Sequence, residues 1–125
     1  MCLHRPAVFL VCLAALLCVA ATAIALTKED VYYGNIRQYS KVAEVNAKKV
    51  FMVIPAYREI IDKNIEKDSA LYIIKLNEAN KVFREAIAEY AKDNNYDLVC
   101  EEGRAEGAKN ITDDIVKAIK EKTQK

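Results

Sequence analysis

Histidine is almost missing from this chain, with His4 the only one, and tryptophan is absent altogether. Cysteine is scarce wherever it could serve chemistry: Cys2, Cys12 and Cys18 crowd the start, and Cys100 stands alone after them. A zinc site needs several Cys, His or carboxylate ligands at close spacing, and a thiol nucleophile needs a base beside it, so neither chemistry finds its residues here. Glycine occurs only three times. Gly103 and Gly107 are four apart but lack the Lys-Ser/Thr that completes a phosphate-binding loop. Nor does one sign of charge prevail: 19 Lys and Arg face 18 Asp and Glu, which offers nucleic acid no basic cluster to bind. The paired carboxylates Glu101-Glu102 and Asp113-Asp114 read as a solvated turn and a helix start. No catalytic, cofactor-binding or metal-ligating residue is therefore expected, and the chain does not read as an enzyme.

What the chain does have is a division into two unlike parts, because Val8 to Leu26 carries no charge while the remainder holds nearly every ionised group. A weakly basic start, an apolar run and small residues at Ala21, Thr22 and Ala23 predict a secretory signal peptide over 1–23, with cleavage after Ala23 or Ala25. A retained membrane anchor is the alternative, since a span needs roughly 20 apolar residues. Lipid attachment at Cys18 is a third, disfavoured by the bulky Leu17 before it. Cleavage after Ala23 leaves 102 residues with 18 basic and 18 acidic side chains, hence no net charge. Cys100 then has no partner for an internal disulfide, so it is either a buried inert thiol or a bridge between chains.

Residues 24–38 mix charges, two tyrosines and Gly34 without a sustained period and read as an amino-terminal arm. Tyr39 to Val45 alternates as a strand would, with Tyr39, Lys41, Ala43 and Val45 on one side. From Ala47 the apolar steps become helical, through Val50, Ile54, Tyr57, Ile61 and Ile65, and Pro55 interrupts them. Either a short turn precedes a helix starting near Pro55 or one longer helix is kinked there. Ser69 or Asp68 can cap the next helix. Beyond that cap Tyr72, Leu76, Ala79, Phe83, Ala86 and Tyr90 recur as a heptad seam, widened by Ile73 and Ile87. Asn94-Asn95 ends the helix. Tyr96 to Cys100 predicts a short strand, Glu101 to Lys109 a loop or hairpin tip, and Thr112 the cap of a last helix whose apolar face is Ile115, Val116 and Ile119.

This order predicts an α+β fold, mainly α, in which an antiparallel helical hairpin over about 47–94 projects from a small β body. Two short strands make no stable sheet alone, and the seam needs something to pack on. Completion of the body by oligomerisation supplies both.

The stretch NKVFREAIAEYAKDNNYDLVCEEG, followed by NITDDIVKAIK, resembles the carboxy-terminal half of the OmpH/Skp family of periplasmic chaperones. That family closes with a helix, a "gYDLV" strand, a turn and a "DITddVik.l" helix, matched here by Tyr96-Asp97-Leu98-Val99 and by Ile111 to Val116. Upstream, KVAEVNAKKVFMVIPAYREI is similar to the family's opening strand and its entry into the first helix. On this likeness 39–125 is a Skp-like domain.

The resemblance implies a homotrimer whose strands build a central body and whose hairpins enclose unfolded outer-membrane or envelope proteins in the periplasm, without ATP or cofactor. It implies no nucleic-acid partner, and peripheral membrane contact only through clients. The whole hairpin has only 40 residues from Pro55 to Asn94, so its arms are shorter than those typical of the family. An envelope structural or assembly protein that kept the trimeric body without client capture is therefore the rival reading. Tyr72, Leu76, Ala79, Phe83, Ala86 and Tyr90 are expected to pack the hairpin or oligomer. Ile61, Ile65, Leu71 and Ile74, near the hairpin tip, are the candidate client-binding residues, with Tyr32 and Tyr33 of the arm as a further contact. Asn110-Ile111-Thr112 is a glycosylation sequon, which a bacterial periplasm normally leaves unmodified.

Overall fold

The computed structural model describes residues 26–125, and the signal-peptide, anchor and lipidation readings lie outside them. A single 3-10 turn, Lys28–Asp30, leads into β1 (Val31–Gly34), followed by β2 (Val42–Val45), α1 (Ala47–Phe51), α2 (Pro55–Asp62), α3 (Ala70–Asp93), β3 (Leu98–Glu101), β4 (Lys109–Asn110) and α4 (Thr112–Thr123). The fold is mixed α and β, with four helices and a four-stranded sheet in the order β1-β3-β2-β4 among the described residues. β1 pairs antiparallel with β3, while β2 runs parallel to both β3 and β4.

Three of these strands depart from the sequence expectation. The residues read as an arm contain β1, whose Val31 and Tyr33 stand opposite Cys100 and Val99. Strand β2 is shorter than Tyr39 to Val45: Tyr39 stays 45% exposed, while Ala43 and Val45 are buried as the alternation requires. The segment after β3 forms no hairpin with it. It crosses the end of β2 and returns as β4, with Lys109 and Asn110 opposite Ala43 and Glu44. One chain thus supplies four strands, and the argument that a lone chain has too few for a sheet falls.

Pro55 sits at the first position of α2, where its missing amide hydrogen costs no helical bond, and α1 is the short preceding turn. Asn46 caps α1 by accepting from the Lys49 amide, and Ser69 caps α3 by accepting from the Tyr72 amide. Thr112, expected as the cap of α4, is instead its first residue. Its buried hydroxyl accepts from the Asn46 amide and so ties the start of α4 to the end of β2.

One face of the sheet, through Ala43, Val45 and Val99, meets Val50, Ile54, Ala79, Phe83, Ala86, Ile87, Ala91, Ile111, Ile115 and Ile119 in a continuous core. Phe83 is its aromatic hub, stacked on Phe51 at 4.8 Å and met edge-on by Tyr32 at 5.0 Å. At the far end of α3, Asn95 takes a left-handed conformation with φ 59° and turns the chain into β3. Asp97 then accepts from the amides of Ser40 and Lys41 and from the Ser40 hydroxyl, holding the approach to β2 beside β3.

Candidate functional site

The seam divides into two parts. Ala79, Phe83 and Ala86 are buried in the chain's own core, whereas Tyr72, Leu76 and Tyr90 are half-buried. Ile87 joins the core as expected, but Ile73 is 55% exposed and does not widen the stripe. Tyr90 stacks on Tyr96 and donates its hydroxyl to Asp114, and burial followed by this carboxylate pushes its pKa up to about 12.

Beyond the core, the last turn of α2 and the first two turns of α3 supply nothing to the core cluster. α2 lies along α3 here, with Lys75 Nζ 2.9 Å from one Glu59 carboxylate oxygen and Lys63 Nζ 2.7 Å from the other. These two lysines, Lys63 first, hold the Glu59 carboxyl down at about 2. Ile61, Leu71 and Ile74, three of the expected client residues, are exposed at 46, 47 and 53%. Ile65 is half-buried, and its amide is bonded to the Ile60 carbonyl. The inward residue of α2 is Ile60 and not Ile61, so the apolar stripe does not run across Pro55 in one phase. Ile73 is the site residue that sequence reasoning placed elsewhere. The first turns of α3 are apolar nearly all round (Ala70, Leu71, Tyr72, Ile73, Ile74, Leu76), which was the available signal that no single covered stripe could hide them.

Tyr32 and Tyr33 do not form a free contact surface. Both pack against the core from β1, and Tyr32 donates its hydroxyl to Glu101 at 2.5 Å. Burial first and Glu101 second push that phenol far above its ordinary range.

The carboxyl ends of the parallel strands carry a polar cluster in which every partner is internal. Glu102 accepts from the side-chain amides of Asn46 and Asn110, and Glu44 accepts from the Gly103 amide. The cluster clasps β2, β4 and the crossing loop together. Cys100 is buried, with its thiol directed at the Ala43 carbonyl, 3.7 Å away, and burial followed by the nearby Glu44 raises its pKa to about 11. That disposes of the bridge between chains in this arrangement and leaves the inert-thiol reading. Among the described residues no group of three or more His, Cys, Asp or Glu side chains is placed to hold a metal ion, and no helix is long and apolar enough to cross a membrane.

Comparisons with family models, with curated proteins and with solved structures found no match to the chain.

Proposed function

We propose that this chain is a short-armed, Skp-like chaperone that binds unfolded outer-membrane or envelope proteins in the periplasm without ATP. The observation that carries the proposal is the apolar tip, where Ile61, Leu71 and Ile74 stand exposed on helix turns that supply no residue to the continuous core cluster. A folded domain gains nothing by exposing such residues together, and clustered apolar exposure marks a binding surface. The OmpH/Skp likeness of the YDLV and ITDDIV segments gives the surface its client class and supports a homotrimer with the α2–α3 pair as a projecting hairpin. Many weak contacts, multiplied over three arms, would hold a client without trapping it.

The rival, a structural envelope protein with no client capture, draws on arm length. Residues Ala70 to Glu78, the part of α3 before its first core residue, span about 13 Å at helical rise, which encloses little volume.

Light scattering from a diluted, unfolded outer-membrane barrel protein separates the two. Suppression near stoichiometric amounts, with no nucleotide added, supports the chaperone; unchanged scattering supports the rival. Sedimentation equilibrium on the same protein tests the trimer.

A further inference from the structure

Strand β1 is the longer of the two outer strands of the sheet, and β3 is its only neighbour among the described residues, so its outer edge is unpaired. It carries no Lys and no Pro, the residues that commonly close an edge to newcomers. Beside it lies a groove of about 400 Å³ lined by Lys28, Val31, Gly34, Asn35 and Ile36. No residue of β3 or α3 lines this groove, which is bounded by β1 and its two flanking turns. The 3-10 turn stands at one end, where the Val31 amide donates to the Lys28 carbonyl, and the turn holding Ile36 stands at the other. An unpaired main-chain edge and a side-chain groove therefore lie on the same strand.

The geometry points to β1 as a docking edge for an extended segment of another polypeptide, which adds a strand by main-chain hydrogen bonds and lowers an apolar side chain into the groove. The site is separate from the α2–α3 tip and does not rest on the chaperone reading. Three observations choose this occupant over a second copy of the chain. Paired through β1, a second copy has no side chain to spare, because Val31, Tyr32 and Tyr33 are half-buried in their own chain and Gly34 has none. Paired through β4, it brings only Lys109 and Asn110, a charged and a polar residue for a groove walled by Val31 and Ile36. Finally, the edge is about 13 Å long at strand rise, and its register shifts between Val31 and Tyr33. Short, irregular edges resist flat pairing with another sheet, whereas a flexible segment can follow their twist.

Fluorescence anisotropy with a labelled peptide of alternating Val and Thr tests it, beside two versions N-methylated on alternate amides, one in each phase. An added strand turns every second amide toward its neighbour and the others to solvent. One phase of methylation should therefore weaken binding at least about tenfold, and the other less than about threefold. Amide hydrogen exchange across Tyr32 to Gly34 should slow when the unmethylated peptide is bound. Ile36→Lys, outside the core cluster, should weaken that peptide at least about tenfold at unchanged melting temperature. Should this variant melt early, the methylated peptides, which leave the protein untouched, decide alone.

Equal effects of the two methylations, no peptide binding, or undiminished binding by a stable Ile36→Lys would overturn the inference. So would self-association of the parent that Ile36→Lys abolishes, which gives the edge to a second copy. If the protein suppresses barrel-protein aggregation but ignores the peptide, the docking edge fails and the chaperone reading stands. If the peptide binds in one phase without such suppression, the docking edge stands and the chaperone reading fails.

Discussion

A Cβ atom on Gly34 would lie 1.9 Å from the carbonyl oxygen of Asp97, closer than any side chain can come to a backbone. Gly34 also has φ +92°, a conformation that other residues rarely adopt, and it stands opposite Leu98 where β1 meets β3. Gly34→Ala should therefore push β1 away from β3 and cost at least about 3 kcal/mol, seen as a fall in Tm of about 10 °C or more. A thermal melt followed by circular dichroism checks it. By contrast Gly103→Ala, at a positive φ with open space around it, should pay for backbone strain only.

Phe83 touches Phe51 and Tyr32 and is 3% exposed, so Phe83→Ala removes the hub of the core and should destabilise by about 3 to 5 kcal/mol. Glu85, two residues on, points to solvent and reaches Lys81 only at 4.0 Å. Glu85→Ala should stay within about 0.5 kcal/mol. Urea denaturation of both variants gives the contrast.

That pair shows what the sequence made legible. The α3 core residues follow from periodicity because a long helix repeats its phase many times, and Ser69, Pro55 and Asn95 announce helix ends by their own chemistry. What escaped was short or depended on partners. β1 has four residues with only partial burial and takes strand form from its pairing with β3; the charged and polar neighbours Asp30 and Asn35 hide it. β4 has two exposed residues, too few for any period. The burial of Ile60 and the exposure of Ile61 escaped as well, because residues 52–54 break the helix before Pro55 and reset the rotation of both residues.

Cys100 should resist labelling. Its thiol is fully buried and its pKa is raised to about 11, so the reactive thiolate is scarce at neutral pH and unreachable. With Cys2, Cys12 and Cys18 replaced by Ser so that Cys100 is the thiol followed, a chromogenic disulfide reagent at about pH 8, near the ordinary thiol range, should react within minutes in denaturant and remain almost silent on the native protein. Fast labelling of the folded chain would mean that β3 opens readily.

Acid should loosen the β2–β3 approach through Asp97. The Lys41 amide first, then the Ser40 hydroxyl and amide, hold its carboxyl below the ordinary value. A depressed folded pKa contributes stability above the unfolded value near about 4, and this is lost as pH falls through the folded one. Asp97→Asn should therefore lower stability at neutral pH and flatten the acid limb of the Tm profile below about pH 4. An acid limb as steep as the parent's would assign that limb to other carboxylates.

Ile65 and Leu71 look alike in sequence as client residues, but the structure gives them different duties. Ile65 is half-buried in the turn that follows α2, and its amide closes the end of that helix by bonding to the Ile60 carbonyl. Leu71, 47% exposed in the first turn of α3, contributes surface. Ile65→Ser should then cost about 1 to 2 kcal/mol, part of the transfer term for a partly covered side chain, and weaken client binding only as far as the tip loosens. Leu71→Ser should leave stability within about 0.5 kcal/mol and still reduce suppression of barrel-protein aggregation. Measuring stability and aggregation suppression for both variants separates the duties. If Leu71→Ser melts the protein as Ile65→Ser does, the tip is packed core and the structural reading gains. If Leu71→Ser changes neither quantity, client capture does not use this face.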